Sequence, residues 1–413
     1  MSKFLSRFFA VALFFTISGE TAFFVTAQSR RQPPPTTEGK KNKRPDPNSP
    51  DKLDDRSTED KEAVVDTEVL TIKTNIVNVD TVVYNKKSGQ IVTNLTQENF
   101  AIFEDGVKQN ITNFATPEAP ITVALIVEYS KLSQLFGSAA SNGFDPGTFE
   151  AVRPAAIFLQ QFIKPPDDYA SVIAFDIRPT PITDFTNDPK RINDSINLLL
   201  RNSPAFSENN VFDALKFTLV GGKGDSVVLD NSRESTSQYG GMVDVKSKRR
   251  AVILITSGID TFSKINFDQT RKIVQSAGVP IYVIGTGNFF FKKYEQFLPA
   301  TDSLDGRTPG RLTFLQATNT LNTFAKDSGG QHFPVTFESQ VPDALRSINA
   351  LLRNQYSMAY DASEGKTDGK RRKLVVKVDV NKDGKYEEKE YVVQHRQFYL
   401  PGNPKDINDK KKK

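Results

Sequence analysis

The chain has 413 residues, 38% of them hydrophobic and 25% charged, with a formal charge of +5. That length exceeds the roughly 250–300 residues at which single cores stop growing, so two or three domains are expected. The absence of cysteine excludes a disulfide scaffold, thiolate metal sites and a cysteine nucleophile, and the only two histidines, His332 and His395, exclude a multi-histidine centre and leave little for a Ser-His-Asp triad.

A basic start, an apolar run from Phe8 and the small-residue site Val25-Thr26-Ala27 predict a secretory signal peptide over 1–27, cleaved before Gln28. No other stretch reaches ~18 apolar residues, so the mature chain is expected to lack a transmembrane segment and to be exported to the periplasm or beyond. Residues 28–66, rich in Pro, Lys, Asp and Ser, are too polar to offset their ordering entropy and read as a disordered linker. The basic runs, Lys248-Arg249-Arg250 and Lys370-Arg371-Arg372-Lys373 among them, fall in predicted linkers and loops. They read as solvated charge rather than as a nucleic-acid-binding face.

Residues 68–117 form an N-terminal β segment. Val77, Val79, Thr81 and Val83 alternate along a strand, Ile91-Val92 opens another, and Asp105-Gly106 is a hairpin signal before a last run to Phe114. Such a meander needs a partner sheet. From 119 to 354 the grammar is strand and helix in alternation. Ile121–Val127, Ala251–Thr256 and Val279–Ile284 are nearly all apolar, as central parallel strands should be. Helices are expected near 148–163, 188–201, 211–219, 267–277, 312–328 and 342–353, giving a doubly wound α/β domain. The Gly/Ser-rich stretch 221–246 is expected to be a mobile loop. Strand grammar returns over 356–400 before a disordered basic tail, 401–413. The two β segments together predict a small β-sandwich into which the α/β domain is inserted, or which flanks it.

The spacing Asp379-x-Asn381-x-Asp383-Gly384 with Glu390 at the twelfth position fits a calcium loop, with the Lys385 carbonyl as a further ligand. Its flanks read as strands, so the competing expectation is a polar β-hairpin turning at Asp383-Gly384. Both histidines are expected to be ordinary polar surface residues.

Several phrases in order, Asn78–Val83, Asn99–Gln109, Ile253–Asp260, Ala277–Gly285, Ala325–Gly330 and Leu352–Tyr360, resemble the von Willebrand factor type A (VWA) domain, in the form found in secreted bacterial VWFA-related proteins. The resemblance covers roughly residues 70–400. It implies a Rossmann-like recognition or adhesion domain, no enzyme, and a metal-ion-dependent adhesion site (MIDAS) for Mg²⁺ above the sheet's carboxyl edge. Carried over residue by residue, that site falls on Glu128, Ser130, Asn209 and Ser257, with Asp260 as a substitute ligand. Only Ser130 keeps the family's residue type. Glu128 is one methylene longer than the family's aspartate, Leu132 supplies no oxygen although Ser133 is adjacent, Asn209 replaces a threonine and Ser257 an aspartate. Mg²⁺ is therefore not expected there, and no cofactor is expected elsewhere except Ca²⁺ at 379–390. The expected ligand surface is Glu128, Tyr129, Ser130, Lys131, Ser133, Asn209, Asn210, Ser257, Ile259 and Asp260, facing a protein or cell-surface partner. Two other functions stay open: a structural component of an envelope assembly, and a secreted hydrolase using Ser130 or Ser257.

Overall fold

The computed structural model describes residues 76–131, 146–202, 204–225, 236–302, 309–362 and 368–411. The expected signal peptide, the linker 28–66 and Ser133 lie outside them. The described residues belong to one compact unit that begins at Leu70.

Its strands in chain order are β1 (Ile76–Asn85), β2 (Phe100–Glu104), β3 (Val107–Gln109), β4 (Ile111–Ala115), β5 (Ile121–Glu128), β6 (Tyr169–Phe175), β7 (Pro179–Thr186), β8 (Gly222–Asp225), β9 (Thr236–Tyr239), β10 (Arg249–Thr256), β11 (Ile281–Gly285), β12 (His332–Pro334), β13 (Tyr356–Asp361), β14 (Arg372–Val378), β15 (Tyr391–Gln394) and β16 (Phe398–Tyr399). The helices are α1 (Pro146–Phe162), α2 (Pro189–Arg201), α3 (Val211–Val220), α4 (Gly241–Asp244), α5 (Phe267–Ala277), α6 (Gly287–Tyr294), α7 (Arg311–Ser328) and α8 (Val341–Arg353).

The six-stranded sheet runs β12-β11-β10-β5-β6-β7, parallel except for β7. All eight residues of β5 are buried, and its side chains alternate between two cores. Val123, Leu125 and Val127 join α1, α2 and α8 on one face, whereas Ala124 and Ile126 join α3, α5 and α7 on the other. Burying each such Val, Ile or Leu contributes about 1.5–3 kcal/mol, so the central strands are pinned from both sides. The strand order reverses between β5 and β10, because β6 and β7 extend one way and β11 and β12 the other. Ligand crevices of open α/β sheets form at the carboxyl ends of strands at such a point.

The remaining strands build two four-stranded antiparallel sheets, β15-β1-β13-β4 and β16-β14-β2-β3. Their inward side chains, including Val79, Ile102, Tyr356, Met358, Tyr360 and Val376, form one hydrophobic cluster. The N-terminal strands do not form a meander: β1 and β4 sit in the first sheet, β2 and β3 in the second. No strand starts at Ile91, which makes only an isolated bridge to Tyr84. The Asp105-Gly106 turn is present between β2 and β3, with φ of 46° and 88° as a two-residue hairpin of this hand requires.

The chain leaves these sheets through 117–120 and returns through 352–355, and Arg249 holds the two crossings together. Its side chain is fully buried, and its Nη1 donates to the carbonyls of Pro117 and Ala119, each at 2.6 Å, while Nη2 donates to that of Leu352. Lys248-Arg249-Arg250 is therefore not a solvated loop run. Arg249 and Arg250 open β10, where the first caps three carbonyls that no ladder would otherwise satisfy.

Two further expectations are corrected. Within 221–246, β8 pairs with β9, and Tyr239 and Met242 are buried against α3, so its ends are anchored; residues 226–235 lie outside the described set. The tail folds back over 404–411 in a 3-10 turn, packing Ile407 on the core while Lys405 pairs with Asp244 at 2.6 Å. Ile407 and the buried Pro404 anchor a stretch whose composition is otherwise polar.

Candidate functional site

Glu128 ends β5 at the reversal point, and Thr256 and Ser257 end β10 beside it. The Glu128 side chain is fully buried. Its Oε2 accepts hydrogen bonds from Thr256 Oγ1 (2.6 Å) and the Ser257 backbone N–H (2.7 Å), and Ser257 Oγ lies 2.8 Å from it. Its Oε1 accepts from Asn209 Nδ2 (2.9 Å) and Ser130 Oγ (3.3 Å). The hydroxyls have their own acceptor sites filled, since Gly258 N–H donates to Thr256 Oγ1 and Ile259 N–H to Ser257 Oγ, which directs their protons at the carboxylate. The turn that aims these amides needs glycine at 258: φ is +80°, and a Cβ there would meet Leu321 Cδ1 at 2.7 Å. Burial pushes the Glu128 carboxyl pKa up, and the donors from Thr256, Ser257 and Ser130 pull it partly back.

Mg²⁺ asks for near-octahedral oxygens at about 2.0–2.1 Å. The residues here do not suit it. Asn209 turns a nitrogen toward Glu128, Thr256 and Ser257 supply protons rather than lone pairs, and the one carboxylate is enclosed by donors. Asp260 is not drawn in as a replacement ligand. It accepts from Ser263 Oγ (2.5 Å) and Phe212 N–H (3.4 Å) at the start of α3, and its pKa is raised by burial.

Around this sealed centre the loops meet by backbone hydrogen bonds. Lys131 N–H donates to Phe206 O (2.6 Å), and Thr261 and Phe262 N–H both donate to Asn209 O (2.9 and 2.8 Å). Of the residues expected to contact a ligand, Ile259, Asn209 and Asn210 are buried along with Glu128 and Ser257, and Ile259 packs with Phe290 and Phe314. Tyr129, Lys131 and Asp260 remain half-buried at the rim. The Oδ1 atoms of Asn209 and Asn210 have no partner among the described residues. Tyr129 sends its hydroxyl to the carbonyls of Leu199 and Asn202 and stands beside a cleft of 180 Å³ with Phe175, Asp176, Ile182 and Leu198. Burial raises its phenol pKa to about 12. The residues that sequence reasoning missed are Phe206 and Phe262, 43% and 52% exposed on these same loops. A lone phenylalanine between polar loop residues was the available signal.

The second candidate lies between β14 and β15. These strands belong to different sheets, so Asp383-Gly384 is not a hairpin turn, and neither flank is a helix. The crossing loop coils instead, with Lys382 and Gly384 at φ of 57° and 84°. It brings carboxylate oxygens of Asp379, Asp383 and Glu387 within 4.8 Å of one another. Glu387 therefore stands where Glu390 was expected, and its Oε atoms accept from Val380 N–H (2.8 Å) and Asn381 Nδ2 (3.0 Å). Asp379 accepts from the N–H groups of Asp383 (3.2 Å) and Gly384 (2.8 Å), and Asp383 from that of Lys385 (2.9 Å). Glu390 instead gives its backbone carbonyl to Lys86 N–H. In the calcium-loop pattern Glu387 occupies the ninth position, which commonly ligates through water.

The histidines are not ordinary surface groups. Burial lowers the His332 pKa to about 4, and its Nε2 faces Gly285 without a partner among the described residues. His395 accepts from Val376 N–H at 3.2 Å, and burial lowers its pKa as well. Neither is bonded to Ser130 or Ser257. Among the described residues no helix is long and apolar enough to cross a membrane.

No family model matches the chain, and no curated protein matches it. Solved structures do match. Proximal thread matrix protein 1 from the mussel byssus is 12% identical with a TM-score of 0.37, over 60% of this chain and 49% of that one. The chain thus spans about half the length of the mussel protein. A point mutant of the PilB minor pilin from Streptococcus sanguinis is 9% identical with a TM-score of 0.39, over 68% and 88%. An aerotolerance-related membrane protein from Bacteroides fragilis is 15% identical with a TM-score of 0.31, over 57% and 98%.

Proposed function

We propose that the chain is an exported recognition module of the VWA type that binds a protein or cell-surface ligand through the loops after β5 and β10, by direct side-chain contact and without Mg²⁺. The observation that carries the reading is the Glu128 network. A carboxylate placed at the strand-order reversal is fully subscribed by its own neighbours, so this edge is built as a rigid platform. Around it stand Tyr129, Lys131 and Asp260 with the exposed rings of Phe206 and Phe262, a mixture of aromatic anchors and charge that suits a protein interface.

The same reading treats 119–354 as a body inserted between the β segments 68–117 and 356–400, whose strands interleave in both antiparallel sheets. It also treats the chain as non-catalytic. Ser130 and Ser257 are both buried, and neither is bonded to a histidine that could serve as its base, which supports that reading.

Capture of partners from an envelope extract by the mature chain, with and without EDTA, tests the reading. Binding is expected to survive the chelator and to fall at least tenfold in a Phe206→Ala/Phe262→Ala variant. Loss of binding in EDTA alone overturns the metal-free edge, and serine labelling by an activated phosphonate overturns the non-catalytic reading.

A further inference from the structure

At the amino end of the six-stranded sheet, opposite the Glu128 edge, a cleft of 290 Å³ separates the stretch before β10 from the outer face of the β15-β1-β13-β4 sheet. Its floor follows from strand register. Asn78 pairs with Ala359, Ala359 with Asn113, and Ser357 with Ala115, so small and amide side chains lie side by side where bulky ones would fill the space. Its wall carries Lys246, Lys248 and Arg250, and no carboxylate lines the cleft.

The charges on the wall are largely uncompensated. Lys246 and Lys248 are exposed and make no ion pair among the described residues. The nearby Asp244 is already engaged by Lys405. Arg250 spends Nη1 on the carbonyls of Met242 (3.0 Å) and Val243 (3.3 Å). Asp80, which accepts from Ser357 Oγ, is among the described residues the carboxylate that acts on Arg250, and it also acts on the buried Arg249 and Arg396. One carboxylate is therefore shared by three arginines, and among the described residues no carboxylate pairs with the two lysines.

We propose that this cleft is a binding site for an oxyanion, a carboxylate or a sulfate or phosphate group, held by Lys246, Lys248 and Arg250 with the Asn78 and Asn113 amides as further donors. A guanidinium beside two ammonium groups suits a group with several acceptor oxygens. Ile76, 53% exposed at the margin, gives the carrier of that group an apolar surface to lie on. The site is separate from the carboxyl edge and does not depend on what binds there.

The test is calorimetry on the full chain at an ionic strength of about 10 mM, where the screening length is roughly 30 Å. Sodium sulfate is titrated in one arm and glutarate in the other. At least one is expected to bind, and the tighter of the two names the source of the oxyanion. A Lys246→Gln/Lys248→Gln variant should bind at least tenfold more weakly while keeping the wild-type unfolding midpoint. A control pair on exposed helix positions, Lys272→Gln/Lys326→Gln, should stay within twofold of wild type. Absence of heat in both arms, equal weakening in the two variants, or unchanged binding in the first overturns the proposal.

Discussion

Two places in this molecule gather oxygen-bearing side chains, and they resolve the resulting electrostatics in opposite ways. At Glu128 a single carboxylate is drawn inside and surrounded by hydroxyl, amide and backbone donors, so its charge is answered entirely by the chain. In the 379–390 loop three carboxylates face one another, and the donors that reach them, Val380, Asp383, Gly384 and Lys385 N–H with Asn381 Nδ2, approach from the loop's own backbone and side chains. Asp379 is 8% exposed and Glu387 half-buried. The first arrangement surrounds its carboxylate with donors, and the second sets three carboxylates against one another, so a cation is expected at the second rather than the first. The count of carboxylates and the count of donors around them point to the same expected ranking for cation affinity.

Four measurements can break or sharpen that contrast. Replacing Glu128 with Ala removes the common acceptor of at least four donors and leaves a hole in the core. The expected cost is on the order of 3–5 kcal/mol by chemical denaturation, against about 1–2 kcal/mol for Asp379→Ala. Equal costs would mean that the 379–390 loop is as structural as the sheet edge. Calorimetry should next find no Mg²⁺ heat at the edge but Ca²⁺ binding at the loop, with a Kd of roughly 10⁻⁴–10⁻³ M. That signal should vanish in Asp379→Ala and in Glu387→Ala, and persist in Glu390→Ala and in Glu128→Gln. A tenfold excess of Ca²⁺ over Kd then adds about 1.4 kcal/mol of stability.

The third measurement follows stability against pH. The folded state raises the Glu128 pKa above its unfolded value, so the group's favourable contribution is present at low pH and is lost as pH rises from about 4.5 through the folded pKa. Subtracting the Glu128→Gln curve from the wild-type curve should expose this downward slope, and an upward one would show the network favouring the charged form outright. The fourth measurement concerns an effect of the opposite sign. With its folded pKa lowered to about 4, His332 makes the protein lose stability as pH falls from about 6.5 toward 4, by at most roughly 1.4 kcal/mol per pH unit, and His332→Gln should flatten that limb.

How much of this was legible depends on how each element is held. β5, β10 and β11 could be read because strands buried on both faces are written as unbroken apolar runs. β7 could not, because Pro179 and Pro181 argue against a strand; it survives as the sheet's edge, where a missing N–H costs no ladder bond. The ends of the 221–246 stretch and the 401–407 tail were hidden for another reason. They are ordered by Tyr239, Met242 and Ile407, single apolar residues in polar surroundings, and no periodicity can announce a solitary anchor. At the sheet edge Glu128, Ser130, Asn209 and Ser257 were each identified by position, and the structure brings all four together. Their mutual satisfaction was not readable, since it depends on a turn at Gly258 that points two amides inward. In the loop, Asp379 and Asp383 followed from spacing, but Glu387 displaced Glu390 because the chain coils between two sheets instead of running out as a hairpin.

The Arg249 clamp has a mechanical consequence. Because the carbonyls of Pro117, Ala119 and Leu352 converge on one guanidinium, the stretch from 121 to 351 leaves and rejoins the antiparallel sheets at a single knot. Tension applied between Ile76 and Tyr399 then runs through the β1–β15 ladder and the short link from β15 to β16, and bypasses everything beyond the knot. The parallel sheet and its carboxyl edge hang from the load path like a pendant from a chain. They are shielded from the pull for as long as the β1–β15 ladder holds.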